Sequence, residues 1–193
     1  IIAPLLPAPS AVGKRGRPQE WPIVEIFNAI FYILKAGCTW RMMPHDLPPW
    51  QTVYYHYRKW SKDGTWERLN TALRERLRES VDREKQPSAA AIDSQSVKTT
   101  SVAGERGYDA GKRVKGRKRH IAVDTLGLLL VVVVTAASVQ DRDGAKILLT
   151  ALRAQTSWSR LQLIWADGGY SGTLIDWVKA KLSCILEIVK RGK

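Results

Sequence analysis

Two aspartates, Asp93 and Asp167, follow short apolar runs of the kind that build a sheet: Ala89-Ala90-Ala91-Ile92 precedes the first and Leu163-Ile164-Trp165-Ala166 the second. Gly168-Gly169 comes directly after Asp167. In a sheet fed by helices, residues at the carboxyl ends of strands line the crevice where ligands sit. If the two strands are neighbours, the carboxylates converge. Paired carboxylates suit a hard divalent cation, Mg²⁺ (or Mn²⁺), which takes oxygen ligands from one or two acids and from substrate phosphates. Two such ions about 3.5–4 Å apart can activate an attacking oxygen and stabilise a leaving one. Either aspartate alone reads as a strand-end or turn residue. The pair, with a basic segment between them, points to metal-assisted phosphoryl transfer on nucleic acid.

That basic segment carries much of the charge. The chain has 31 Lys and Arg against 18 Asp and Glu, a net charge of +13, and a pI near 10.0, in the range of nucleic-acid binders. Between Lys98 and His120 lie Lys98, Arg106, Lys112, Arg113, Lys115, Arg117, Lys118 and Arg119 against only Glu105 and Asp109. The expectation is a basic loop after the first strand, in which Lys112, Arg113, Lys115, Arg117, Lys118, Arg119 and His120 grip a phosphate backbone. A solvated charge run is the competing reading.

The elements that must hold these residues fall into two regions. Residues 1–18 are rich in Pro and Gly and read as an arm without a core of its own. From Trp21 onward the apolar spacing of Ile23, Ile26, Phe27, Ile30, Phe31 and Leu34 predicts a helix that Gly37 ends. A second helix is expected over about 50–62 and a third over about 65–80, with 82–88 as a linker. On the second helix Trp50, Val53, Tyr54, Tyr57 and Trp60 form a core stripe. Gln51, Tyr55, Arg58 and Lys62 form the opposite polar stripe that a groove-reading helix would present to DNA. After the linker the period changes to that of strands. An antiparallel hairpin is expected from His120–Asp124 and Leu128–Thr135, then a helix over about 141–154 carrying Ile147, Leu148 and Leu152, a strand 161–166, a helix 173–182 and a strand 184–189. The order is βββαβαβ.

Several strings in this chain, AIDSQSVKTT (91–100), GYDAGKRVKGRKRHIAVDTLG (107–127), VQDRDGAK (139–146) and WADGGYSG (165–172), closely resemble the DDE-type transposases of bacterial insertion sequences, in the group named after insertion sequence five. GCTWRMMPHDLPPWQTVYYHYRKW (37–60) and GTWERLN (64–70) are similar to the same proteins. The resemblance implies an α+β or α/β chain: an N-terminal helical, helix-turn-helix-like DNA-binding domain over 1–85, then a ribonuclease H-like mixed-sheet domain over 86–193, incomplete at its C-terminus. It implies metal-dependent strand cleavage and strand transfer on double-stranded DNA, at transposon ends and target. Asp93 and Asp167 would be the first two members of a catalytic triad whose third member, a Glu on a later helix, lies past Lys193. The expectation is therefore a truncated chain that binds DNA without cutting it, with a catalytically inactive DNA-binding remnant or regulator of transposition as the alternative. The resemblance leaves room for a homodimer on DNA.

The remaining residues carry less. Glu187 lies inside an apparent strand and reads as an edge residue, Asp176 as a solvent-facing helix residue, and Asp124 as part of the hairpin turn. Ser94 and Ser96 lack a His placed as a base, and His45 and His56 lack partner ligands. Cys38 and Cys184 are too few for a disulfide framework and no export signal opens the chain, so a reducing cytoplasmic, nucleoid-associated setting is expected. The longest apolar run, 126–137, is broken by Gly127 and Thr135 and falls short of the ~18 residues of a membrane span.

Overall fold

The computed structural model describes residues 3–6, 20–99 and 104–189. Most of the expected Pro- and Gly-rich arm (7–19), together with 100–103 and the basic end 190–193, lies outside these. Three helices lead the chain: α1 (Ile23–Ala36), α2 (Trp50–Lys62) and α3 (Thr65–Glu79). Gly37 ends α1 as expected, in the left-handed region at φ 67°, and its N–H bonds to the Ile33 carbonyl at 2.9 Å. Glycine adopts that conformation without the steric cost of a Cβ.

A core forms among these helices from Ile26, Phe27, Ala29, Ile30 and Ile33 of α1, Val53 and Trp60 of α2 and Leu69 of α3. The rings of Phe27, Trp60 and Trp66 cluster within 6.4 Å of one another. The core face of α1 is rotated from expectation, since Ile33 is buried while Phe31 and Leu34 are exposed. Leu6 is also buried in this core, so the first residues are not wholly an arm.

The strands and the remaining helices are β1 (Ala89–Lys98), β2 (Gly107–Asp109), β3 (Val114–Asp124), β4 (Leu129–Ala136), α4 (Asp141–Arg153), β5 (Leu163–Ala166), α5 (Thr173–Leu182) and β6 (Ile185–Ile188). The expected order holds, with β2 as an additional short strand. The six strands form one mixed sheet in the order β2-β3-β1-β5-β6, with β4 also paired to β3. β1, β3 and β4 run antiparallel, whereas β1, β5 and β6 are parallel. Leu148, Leu149 and Leu152 of α4, and Leu174, Val178 and Leu182 of α5, are buried with Ile92, Ala122, Leu130, Ile164 and Leu186 of the sheet. Ile147, expected on the inner face of α4, is 49% exposed.

The chain divides into two compact units, Ile1–Leu73 and Arg74–Lys193. The division falls inside α3. Arg74 and Arg78 in its last turns are both buried, Arg74 donating to the Leu129 carbonyl at 3.3 Å and Arg78 to the Asp124 carboxylate at 2.5 Å. The expected linker is likewise tied down, by Arg78 Nε to the Glu84 carbonyl at 2.7 Å and Gln86 Nε2 to Glu75 at 2.7 Å.

Candidate active site

β1 has an antiparallel neighbour on one side, β3, and a parallel neighbour on the other, β5. Its pairing with β5 runs Ala89↔Leu163, Ala90↔Ile164, Ala91↔Trp165. Carried two residues further, the same register sets Asp93 level with Asp167. Residues at one level of a parallel pair share a face, and both aspartates are exposed. The sequence expectation that Asp93 ends its strand needs correcting, because β1 continues to Lys98. The cause is the partner: β3 accompanies β1 to Lys98, while the pairing with β5 ends at Ala91↔Trp165. The crevice therefore opens at Asp93 on the β5 side only. Asp167 begins the turn that follows β5, where its Oδ1 accepts the Gly169 N–H at 2.9 Å and caps a 3-10 turn, Gly168–Tyr170.

Behind this pair lies a polar cluster that pattern reasoning did not find. Tyr170 is 2% exposed and belongs to the buried core of the sheet unit. Burial first, then the neighbouring Asp141, Asp93 and Asp167 carboxylates, push its ionisation well above the ordinary phenol value. The Ser94 hydroxyl donates to Asp141 Oδ1 at 2.8 Å, and Lys118 Nζ lies 2.9 Å from the same oxygen and 3.2 Å from Asp109 Oδ2. Burial opposes the charge on Asp141, but hydrogen bonds from Lys118 and Ser94 outweigh it and hold the carboxyl below its usual range. The Ser96 hydroxyl, 2.5 Å from Asp109, is the main cause that lowers that carboxyl to about 2. Asp141, Asp109 and Tyr170 carry no periodicity or spacing that marks them in advance; only the folded sheet brings them together.

The basic segment is a strand and not a loop. Lys112 and Arg113 form the turn into β3, and from Lys115 onward the side chains alternate. Lys115 and Arg119 are exposed, Arg119 donating to Gln95 Oε1 at 2.6 Å, and Arg117 is half-buried with its Nε bonded to the Glu105 carbonyl at 3.1 Å. Lys118 and His120 are buried, at 4% and 0% exposure. Their expected part as surface contacts to DNA is corrected accordingly, since a period of two turns every second residue of a half-covered strand inward. His120 Nε2 pairs with Thr135 Oγ1 at 3.0 Å, and its ring lies against Gly144 of α4, where an added Cβ would stand 2.0 Å from Cε1.

The other expectations fall as follows. Gln51, Tyr55, Arg58 and Lys62 are all exposed on α2, opposite buried Val53 and Trp60, and the Arg58 guanidinium lies 5.9 Å from the Tyr54 ring. This stripe belongs to the first unit and the acidic pair to the second. Glu187 is exposed on β6, at the end of the strand order, and accepts from Trp165 Nε1 at 3.0 Å. Asp176 is exposed on α5. Asp124 closes the hairpin turn, its Oδ1 accepting the N–H groups of Leu126 and Leu128 at 2.9 Å each. Cys38 and Cys184 are free thiols. Among the described residues no group of three or more His, Cys, Asp or Glu is placed to hold a metal ion, and no helix is long and apolar enough to cross a membrane.

Two comparisons with known families meet this architecture. A family model described as "Putative transposase of IS4/5 family" matches residues 1–70, and one described as "Transposase DDE domain" matches residues 84–191. No curated protein and no solved structure matches the chain. The second match spans more than half of the sequence and contains the mixed sheet, Asp93 and Asp167. The chain thus belongs to the DDE transposases, of the IS4/5 type, and its role is in DNA transposition.

Proposed function

We propose that this chain acts on DNA by metal-dependent strand cleavage and strand transfer, with Asp93 and Asp167 as the acids at the reacting phosphate. The observation that carries this reading is that two exposed aspartates each lie two residues past Ala91↔Trp165, the last pair of the parallel strands β1 and β5. Their donor chemistry fits Mg²⁺ or Mn²⁺, which are commonly held by one or two carboxylates together with substrate phosphates. An ion bound there supplies positive charge to offset the phosphate and helps activate the attacking oxygen. The protein's own part is to hold the two carboxylates on one face and to grip the duplex beside them. Lys112, Arg113, Lys115, Arg117 and Arg119 supply backbone contacts, which position DNA without reading its sequence. On the first unit, Gln51, Tyr55, Arg58 and Lys62 form a face for base edges and phosphates at the transposon ends.

Paramagnetic Mn²⁺ titration of the chain and of Asp93→Asn and Asp167→Asn tests the acidic pair. Each substitution should remove binding; the same affinity in all three proteins would sink the assignment. In the transposase, cleavage of DNA carrying the element's ends should fall to background in either variant while DNA binding persists. Cleavage that survives both would locate the chemistry elsewhere. Binding without any cleavage in the unsubstituted protein would favour a regulator that occupies the ends.

A further inference from the structure

Asp167 stands beyond the last hydrogen-bonded pair of β1 and β5, which is Ala91↔Trp165. Its place relative to Asp93 is therefore not set by the ladder between those strands. Contacts from the segments flanking each aspartate must set it, and both segments lead to the first turn of α4. On the Asp93 side, Ser94 is turned to the covered face and donates to Asp141 Oδ1 at 2.8 Å. On the Asp167 side, buried Tyr170 closes the turn that Asp167 caps, its N–H bonded to the Asp167 carbonyl at 3.1 Å. Arg142, the next residue of α4, donates to the Ser171 carbonyl at 3.4 Å.

Asp141 is itself held from the opposite side. Lys118 Nζ reaches Asp141 Oδ1, Asp109 Oδ2 and the Val139 carbonyl at 2.9, 3.2 and 2.8 Å, which uses all three ammonium donors, and the Lys118 side chain is 5% exposed. Asp109 accepts from Ser96, two residues along β1 from Ser94 on the same face. Buried charges are costly to desolvate, and apolar packing of the same volume often stabilises a fold as well or better. What a charged, fully bonded cluster adds is direction, because each bond fixes one atom against one other. Here that cluster underlies the two exposed carboxylates.

We propose that Asp141 is a positioning residue: acting through Ser94, with the adjacent Arg142 tied to the Ser171 carbonyl, it sets where Asp93 and Asp167 stand relative to one another. This rests on the reading of Asp93 and Asp167 as the metal-holding pair. Loss of an outer-shell partner commonly weakens metal binding 10–100-fold, so Asp141→Ala should weaken Mn²⁺ binding to the chain by on the order of tenfold. Asp141→Asn, which keeps an acceptor for Ser94, should recover most of it. Leu148→Ala, a core truncation in the same helix, should lower the unfolding midpoint yet leave Mn²⁺ affinity unchanged below the transition. Unchanged affinity in folded Asp141→Ala overturns the proposal, as does an equal loss in Leu148→Ala, which would make Asp141 a mere part of the scaffold. If Asp141→Ala does not fold, Ser94→Ala breaks the same link without stranding a buried charge, and it decides by the same criterion. Mn²⁺ binding that ignores both Asp93→Asn and Asp167→Asn would instead fail the metal reading. In that event the ¹⁹F resonance of 3-fluorotyrosine at position 170, assigned with Tyr170→Phe, decides the positioning claim. A displaced signal in Asp141→Ala but not in Leu148→Ala supports it, and an unmoved signal overturns it.

Discussion

Along β3 the side chains alternate between two environments, and the same residue types behave differently in each. Inward lie Lys118, His120 and Asp124, each buried and each bonded: Lys118 to two carboxylates, His120 to Thr135, Asp124 to Arg78 and to its own turn. Outward lie Lys115, Arg117 and Arg119, on the face that also carries Gln95 and Asp93 of β1. A basic residue on the inner side is buried within the sheet, whereas those on the outer side are half-buried or exposed. Charge counted along the chain cannot separate the two. The lesson extends to the acids, where Asp109, Asp124 and Asp141 are committed to internal partners and Asp93 and Asp167 are presented to solvent.

If this contrast is sound, equal substitutions on the two faces should have unequal effects. Lys118→Met should destabilise the chain by about 3–5 kcal/mol, the range for removing one partner of a buried ion pair, whereas Lys115→Met should stay within about 0.5 kcal/mol, as surface changes usually do. Urea unfolding of both variants measures the difference, and similar midpoints would erase the distinction between the faces. A smaller effect is expected where α4 meets His120. Gly144→Ala places a methyl against the imidazole, and overpacking of this kind costs about 1–3 kcal/mol. A neutral result would show that the His120 ring has room to move.

The inner face also predicts a pH dependence. Burial, followed by the nearby Lys118 and Lys112 acting against Asp141, holds the His120 imidazole below its ordinary 6.5. The unfolded chain then takes up a proton at higher pH than the folded one, so stability that is complete above about pH 6.5 declines as the pH falls below it. His56 is shifted in the same direction, by burial and then by Lys59, so both histidines contribute to the slope. His120→Gln in a His56→Gln background should flatten the loss between about pH 6.5 and 5, measured by urea midpoints. An unchanged slope would place its origin outside the histidines.

The smallest change in stability is expected on the outer face, where the readout is binding. Counterion release gives a slope of log affinity on log salt of about −0.9 per phosphate neutralised. Lys115→Ala together with Arg119→Ala should therefore flatten the salt dependence of duplex binding by up to about 2 units. Adding Lys118→Met to that pair should flatten it no further. A further loss from Lys118 would mean that the inner face opens to DNA.

Local pattern was enough to place the three leading helices, the β3–β4 hairpin, α4, β5, α5 and β6, because amphipathic period, Gly37 and the Thr125-Leu126-Gly127 turn are properties of adjacent residues. It was also enough to single out Asp93 and Asp167, since each follows an apolar run and the strings around them resemble one family. The length of β1 was not legible: a strand extends as far as a partner accompanies it, and that partner, β3, is remote in sequence. The same holds for the basic segment, whose alternation acquires an inside and an outside only when α4 covers one face of the sheet. Asp109 and Asp141 were invisible as a pair because they meet through Lys118 of β3, and no spacing encodes it. Residue types and their local order thus determined the family and most of the elements, and singled out the two aspartates as candidates. Only the tertiary structure decided which charges are partners within the fold and which face outward, because burial and hydrogen bonding belong to the packed sheet and not to any segment of it.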